Sequence, residues 1–189
     1  MRLFAGIPIP PELRHRVAQI LGKCARSGAD VRWVRPANLH LTVRFLGEVG
    51  EEALERLKQS LDRAARESGP FTLELGGYGA FPKIERPRVL FVPVRRGTED
   101  LIRLAGAVDR ALRETGFQDR EEAFQPHLTL GRVRSRRPTD DAVRELHQVA
   151  PESLGRMKVG SLALFESVLS GKAAEYRVLE EFILGEDLL

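Results

Sequence analysis

One short pattern occurs twice in the amino-acid sequence, and this repetition constrains the fold more than any other feature. The first copy lies in NLHLTVRF, with His40 and Thr42, and the second lies in PHLTLGRV, with His127 and Thr129. His127 follows His40 by 87 residues, and the predicted strands and helices around both copies come in the same order. A chance second copy of three residues is common. A copy at the same place in a repeated order predicts a duplicated structural unit.

The spacing of apolar residues predicts five elements in each half of the chain. In the first half, strands and helices alternate at residues 2–8, 10–25, 39–46, 50–67 and 71–76. After the glycine-rich segment GGYGAFP, the alternation repeats at residues 88–94, 98–115, 127–133, 139–149 and 157–166, and a last strand is predicted at about 175–184. We therefore predict a single two-lobed domain over residues 1–189, with an internal repeat at roughly 1–80 and 86–170.

The strand around His40 is predicted to have one apolar face and one polar face. The polar face carries His40, Thr42 and Arg44, which offer a proton carrier, a hydroxyl group and a permanent positive charge. The opposite face is formed by Leu39, Leu41, Val43 and Phe45. Taken alone, this stretch is more typical of an ordinary solvent-exposed sheet surface, so its interpretation depends on the second copy.

In the second copy, strict alternation separates the arginine from the histidine. It places His127, Thr129 and Gly131 on one face and Arg132 on the other. Arg132 joins the face of the histidine only if the strand ends, twists or bulges after Thr129. Gly131 favours such an irregularity.

A pair of histidines in this arrangement is suited to acid–base chemistry. Two lobes related by a pseudo-twofold axis would place His40 and His127 on opposite sides of a shared cleft. Because unperturbed imidazole has a pKa of about 6.5, one ring can be protonated near neutral pH while the other is neutral. Such a pair could act as general acid and general base when water attacks phosphorus and an alkoxide leaves.

The remaining polar residues of the two copies suit a phosphate group. Thr42 and Thr129 could donate hydrogen bonds to its oxygens. Arg44, together with Arg132 if its strand bulges, could offset the charge that develops on them. Two histidines without Asp, Glu or Cys at ligand spacing make a poor metal site, so we predict neither a metal nor another cofactor.

The net charge, the cysteine count and the lengths of the apolar runs limit the partners and the cellular compartment expected for this protein. The 189 residues carry a net charge of +3, which permits an anionic partner without requiring one. Cys24 is the only cysteine, which excludes an intrachain disulfide and favours an intracellular protein. No apolar run approaches the roughly 18 residues of a membrane span, and the start MRLFAGIPIPPELR does not resemble a signal peptide. We therefore expect a cytoplasmic protein with no membrane partner.

Other candidate residues have weaker claims to function. No Gly-x-Ser-x-Gly turn or phosphate-binding glycine loop occurs, which argues against nucleophilic or nucleotide-loop chemistry. His15 and His147 lie in predicted helices, where surface or packing roles are expected. Phe45, Tyr78 and Tyr176 could stack on nucleobases, although core packing is the favoured interpretation for each.

The paired His-x-Thr-x motifs and their flanks resemble a known family. The resemblance is carried by RWVRPANLHLTVRFLGEV, RPRVLFVPV, PHLTLGRVR and SLALFESVLSGKAAEYRVL, and it extends over nearly the whole chain. The sequence is similar to the two-histidine phosphoesterase superfamily and, within it, to the RNA 2′,3′-cyclic phosphodiesterases, formerly called 2′-5′ RNA ligases. The resemblance implies a bilobal α+β fold in which antiparallel sheets line a central cleft and helices pack outside.

The resemblance also implies a reaction and a role for each site residue. The reaction is hydrolysis of a terminal 2′,3′-cyclic phosphate of RNA or of a nucleotide to a 2′-phosphomonoester. His40 would protonate the departing 3′ oxygen, and His127 would accept a proton from the attacking water. Thr42 and Thr129 would hold the phosphate. Arg132 matches an arginine that commonly follows the second motif, whereas Arg44 matches a position that is often basic.

Two alternative functions remain open from the sequence. One is ATP-independent ligation that forms 2′-5′ RNA linkages, which is the reverse reaction through the same histidines. The other is a non-catalytic protein that binds RNA ends and in which the histidines have no kinetic role. In each case the partner is RNA or a nucleotide, and we expect a monomer.

Overall fold

The computed structural model describes residues 1–118, 120, 123–135, 139–170 and 173–185. These residues form ten strands, four α-helices and a short 3-10 helix at Pro36–Asn38. In chain order the elements are β1 (Arg2–Pro8), α1 (Pro11–Ala25), β2 (Val31–Trp33), β3 (His40–Glu48), α2 (Glu51–Arg66), β4 (Phe71–Leu75), β5 (Gly79–Phe81), β6 (Val89–Arg96), α3 (Thr98–Glu114), β7 (His127–Val133), α4 (Thr139–Val149), β8 (Gly155–Val159), β9 (Ser161–Ser170) and β10 (Ala173–Ile183).

The predicted elements lie within about two residues of the observed ones, with three corrections. β2 was not predicted, because three residues are too few to show a periodic pattern. The glycine-rich segment GGYGAFP contains the short strand β5. The strand predicted at 157–166 is wrong as one element, since the chain divides at Gly160 into β8 and β9.

The strands form one antiparallel sheet in the order β10-β9-β1-β3-β7-β6-β4-β8, with β2 added to β7 and β5 added to β6. β3 and β7 meet in the middle through the pair Leu41–Leu128. β1 lies beside β3 and β6 lies beside β7. On each side of the centre, the strand that carries the histidine is therefore followed by the strand that opens the same half of the sequence. This arrangement confirms the predicted mixed fold of antiparallel strands with helices packed outside.

Each lobe also receives a strand from the opposite half of the sequence. β4, from the first half, pairs with β6 and with β8. β9, from the second half, pairs with β1. The division at Gly160 is the point at which the chain leaves the β4 side of the sheet and crosses to the β1 side.

The hydrophobic core lies between one face of the sheet and the helices. Helix α1 contributes Leu13, Val17, Ile20, Leu21 and Cys24, all buried. Burial raises the pKa of the Cys24 thiol to about 11, so the thiol stays protonated and unreactive at neutral pH. We call the opposite face of the sheet, which carries His40, Thr42, His127 and Thr129, the open face.

Among the described residues, the helices are all too short or too polar to cross a membrane.

Both central strands contain a β-bulge at the third residue after their histidine. Along β3, the pairing with β1 skips Val43 between Thr42 and Arg44. Along β7, the pairing with β6 skips Leu130 between Thr129 and Gly131. A bulge places two successive side chains on the same face and reverses the alternation beyond it. The fourth residue after each histidine therefore faces the helices, and the fifth faces the open side.

Gly131 is expected to be essential for the packing of β2 against β7. A Cβ atom at this position would lie 2.6 Å from Val31 Cγ1 and 2.9 Å from Trp33 Cε3. We expect Gly131→Ala to lower the free energy of unfolding by about 1–3 kcal/mol, since overpacking forces its neighbours to move. Urea denaturation measures the change.

Gly22→Ala is the matched control, because Gly22 lies inside helix α1 and a Cβ atom there would meet nothing within 4 Å beyond its own stretch of helix backbone. That substitution should raise stability by up to about 1 kcal/mol, as alanine is the better helix former. An unchanged or increased stability of Gly131→Ala would contradict the close packing at β2.

Candidate active site

The two histidines lie at the starts of the two central strands. His40 is the first residue of β3, and His127 is the first residue of β7. Extending the Leu41–Leu128 register by one residue in each direction places His40 opposite Thr129 and Thr42 opposite His127. The duplicated motifs therefore form one site on the open face.

The same backbone hydrogen bond orients both imidazole rings. His40 Nδ1 lies 2.7 Å from the carbonyl oxygen of Asn38, and His127 Nδ1 lies 2.6 Å from that of Gln125. Because a carbonyl oxygen only accepts, each Nδ1 carries its proton and donates. Each Nε2 is therefore the nitrogen that can gain or lose a proton.

Asn38 supports His40 beyond the hydrogen bond from its ring, and the sequence analysis did not identify this residue. The Asn38 side chain donates to the carbonyl oxygen of Ala174 at 2.8 Å and accepts from the backbone N–H of Tyr176 at 3.3 Å. These contacts connect the start of β3 to strand β10. A polar residue two positions before the histidine was the available signal.

Thr42 is in direct contact with the first histidine. Its Oγ1 lies 2.8 Å from His40 Nε2, so the hydroxyl donates to the neutral ring. A ligand anion in the site would compete for this hydroxyl. Thr129 occupies the equivalent position in β7 and is likewise half-buried.

Burial lowers the pKa of both imidazoles below the ordinary value of 6.5. For His40, desolvation is the largest cause, the hydrogen bond to Asn38 opposes it, and the charge of His127 lowers the pKa further. For His127, desolvation is again the largest cause, the bond to Gln125 opposes it, and the charge of Arg132 lowers the pKa further. Both rings are therefore mainly neutral at pH 7 in the unliganded protein.

His40 rests on an aromatic cluster in the first lobe. The centroid of the Phe4 ring lies 4.6 Å from that of His40. The same Phe4 ring stacks on the ring of Phe165, with 4.9 Å between their centroids. The Tyr176 ring meets His40 edge-on at 5.1 Å. The apolar rings explain much of the desolvation of His40.

His127 rests on a matching pair of phenylalanines in the second lobe. Phe81 and Phe91 stack at 4.3 Å, and their centroids lie 4.9 Å and 5.3 Å from that of His127. Phe91 on β6 follows Phe4 on β1 by 87 residues, which is also the separation of the histidines. The aromatic support thus belongs to the repeated unit.

Arg44 does not share the face of His40, so the prediction from alternation is wrong at this residue. Its side chain is only 8% exposed, and it contacts Asp109 of α3 at 3.6 Å and donates to the carbonyl oxygen of Gln118. The bulge at Val43 is the physical reason, because it turns the next side chain toward the helices.

Phe45 and Arg132 occupy equivalent positions beyond the two bulges. Phe45 is 68% exposed and lies opposite Phe4, so its predicted core packing is wrong. Arg132 is exposed, and its positive charge adds to burial in lowering the pKa of His127. The predicted irregularity after Thr129 is confirmed. The site therefore has an aromatic side at β3 and a cationic side at β7.

Arg32 is a second arginine beside the site that the sequence analysis missed. It lies on β2 directly opposite Arg132.

The remaining candidate residues do not form a second site. The Tyr78 hydroxyl and His147 Nδ1 form a hydrogen bond at 3.0 Å, in agreement with a structural role for both residues. Among the described residues, no three His, Cys, Asp or Glu side chains come together as a metal site.

Comparison with known proteins shows which family this chain matches and which individual proteins it resembles. Residues 9–169 match the 2′-5′ RNA ligase superfamily. An RNA 2′,3′-cyclic phosphodiesterase of Archaeoglobus fulgidus is 38% identical over 183 residues, which cover 96% of this chain and 99% of that protein.

Two crystal structures share the fold over almost the full length. The structure of TT0787 of Thermus thermophilus has a TM-score of 0.83 at 32% identity, and covers 99% of this chain and 100% of that one. E. coli LigT complexed with 3′-AMP has a TM-score of 0.77 at 28% identity, with 97% of each chain covered.

Proposed function

The chain belongs to the 2′-5′ RNA ligase superfamily, and we propose that it hydrolyses terminal 2′,3′-cyclic phosphates of RNA or nucleotides to 2′-phosphomonoesters. One observation carries this proposal. His40 and His127 each fix Nδ1 on a backbone carbonyl, so both have Nε2 as the reactive nitrogen in one site. Two such nitrogens are what an acid–base pair requires.

In this proposal the two rings act on opposite sides of the phosphorus. His127 Nε2 accepts a proton from water, whose oxygen forms the new bond to phosphorus. His40 Nε2 donates a proton to the 3′ oxygen as the bond from phosphorus to that oxygen breaks. One proton enters and one leaves the pair, so a proton exchange with solvent restores the starting state. The choice of the 3′ oxygen follows from the family resemblance.

The surrounding residues stabilise the phosphate as its charge increases. Thr42 and Thr129 donate hydroxyl hydrogen bonds to the phosphate oxygens, and Arg132 supplies a positive charge from the open face beyond the β7 bulge. The proposed reaction uses only these protein groups and requires no metal ion.

The lowered pKa values of the histidines predict an acidic optimum. The active free enzyme has His40 protonated and His127 neutral, so kcat/KM is maximal between the two pKa values, both of which lie below 6.5. Bound substrate carries a negative charge, which raises both pKa values and shifts the kcat profile to higher pH. Initial rates from pH 4.5 to 8.5 measure both curves.

The variant Arg132→Met tests the cause assigned to the lowered pKa of His127. Removing this charge should raise the pKa of His127 and move the acidic limb of kcat/KM to higher pH. A wild-type kcat/KM that is still rising above pH 7 would contradict the proposed protonation states.

Product analysis tests the proposed function directly. The protein is incubated with adenosine 2′,3′-cyclic monophosphate and with a short RNA that ends in the same group, in the presence of EDTA. Chromatography separates the 2′-phosphate from the 3′-phosphate. We expect the 2′-phosphate, at a rate indifferent to EDTA. Absence of turnover by folded protein would reject hydrolysis and favour a protein that only binds RNA ends.

A further inference from the structure

The short strand β2 places a second arginine beside the proposed phosphate site. β2 pairs with the end of β7 through Val31–Val133, Arg32–Arg132 and Trp33–Gly131. Directly opposite residues in an antiparallel pair project from the same face. Arg32 therefore projects from the same face as Arg132.

That shared face is the open one. Val31, Trp33 and Val133 pack against the hydrophobic core, and the Gly131 position is filled by the Val31 and Trp33 side chains. The alternate residues Arg32 and Arg132 must then face away from the core, and both are exposed. The β7 bulge and β2 act together to produce this pair.

A second opposite pair, Asp30 and Arg134, lies beside the two arginines. By the same register, Asp30 lies opposite Arg134, whose N–H donates to the carbonyl oxygen of Asp30 at 2.9 Å. Among the described residues, the four at positions 30, 32, 132 and 134 are three arginines and one aspartate, with a net charge of +2. A phosphate group is attracted to this positive charge.

We propose that Arg32, together with Arg132, binds a second phosphodiester group of the RNA, adjacent to the reacting cyclic phosphate. Arg132 lies on the strand of His127, on the open face beyond the bulge, and Arg32 extends the positive charge by one strand spacing of about 4.8 Å. Arginine suits this role because its planar guanidinium forms paired hydrogen bonds to phosphate. The inference rests on the proposed function and makes Arg32 a specificity residue that favours RNA ends over cyclic mononucleotides.

The test compares two substrates in two variants that each lose one positive charge. Arg32→Gln removes the proposed contact. Arg63→Gln is the control, because Arg63 lies on helix α2 in an ion pair with Glu114 at 2.9 Å. For each protein, kcat/KM is measured with adenosine 2′,3′-cyclic monophosphate and with a short RNA ending in the same group, at several salt concentrations.

We expect Arg32→Gln to lower kcat/KM for the RNA about tenfold and to change the value for the mononucleotide less than twofold. The slope of log kcat/KM against log salt for the RNA should decrease by about 0.7, the value for one phosphate contact with a single strand. An equal loss for both substrates, or an RNA result identical to that of Arg63→Gln, would overturn the proposal.

A binding measurement separates this inference from the proposed function. Equilibrium binding of the same RNA bearing a 2′-phosphate end is measured against salt for wild type and Arg32→Gln. If the wild-type protein hydrolyses neither substrate, the proposed function fails. A smaller salt slope in Arg32→Gln would still support the second phosphate contact, whereas an unchanged slope would overturn it.

Discussion

His127→Ala and His40→Ala should each reduce kcat/KM for the cyclic phosphate by about 10²–10⁴-fold, the usual contribution of a general acid or base. Each ring supplies the reactive Nε2 at its end of the site, and neither neighbouring threonine hydroxyl can replace it as a general acid or base near neutral pH. Because the two rings act as a unit on one phosphate, the double variant should be little slower than either single variant. Steady-state rates with adenosine 2′,3′-cyclic monophosphate measure all three.

His15→Ala is the matched control for these substitutions. His15 lies on the exposed side of α1, where it bonds locally to Gln19 at 3.2 Å, and its replacement should leave turnover unchanged. Thermal unfolding shows whether each variant is folded. Substantial turnover by a folded His40→Ala or His127→Ala protein would reject the acid–base pair.

Asp109→Ala should cause the largest loss of stability, about 2–4 kcal/mol. Asp109 accepts from Arg120 at 2.6 Å and 2.9 Å and lies 3.6 Å from Arg44. Its removal leaves two largely buried guanidinium groups without this compensating charge, which is costly in a partly dehydrated site. Arg120 also donates to the carbonyl oxygen of Val43 at 3.3 Å, so the bulge itself is part of this network. Urea or thermal denaturation measures the loss.

Asp62→Ala provides the comparison, because Asp62 forms an exposed ion pair with Arg66 on α2 at 2.8 Å. Exposed pairs of this kind contribute little to stability, because water and salt screen them. Arg44→Met should resemble Asp109→Ala by lowering stability while the folded fraction keeps its turnover. If Arg44→Met instead abolished turnover at unchanged stability, Arg44 would belong to the phosphate site after all.

The order of the elements and the pairing of the two histidines could be predicted from sequence because both depend on local periodicity. Apolar spacing over ten or more residues identifies a helix, and a repeated His-x-Thr pattern identifies equivalent strands. His40 and His127 are brought together as predicted, with Thr42 in contact with the first ring.

The failures occur where one residue changes the alternation. The bulge at Val43 turns Arg44 inward and Phe45 outward, whereas the bulge at Leu130 brings Arg132 to the site. The second bulge could be suspected because of Gly131, but no comparable signal marks Val43. A bulge depends on the partner strand, in this case β1, so it lies outside any pattern in β3 alone.

The contribution of Arg32 depends on a pairing between distant segments. A three-residue strand has no periodicity of its own, and its value to the site comes entirely from its register with β7. The partners of Asn38 are similarly distant, since Ala174 and Tyr176 belong to the last strand.

The pairing of β7 with β3 and with β2 limits how the cleft can respond to a substrate. Moving the lobes apart would break main-chain hydrogen bonds along this central seam, so the lobes cannot rotate freely about a linker. The separation of the two imidazoles is therefore built into the sheet before any substrate arrives. A site whose groups are already in place loses little ordering entropy when a substrate binds.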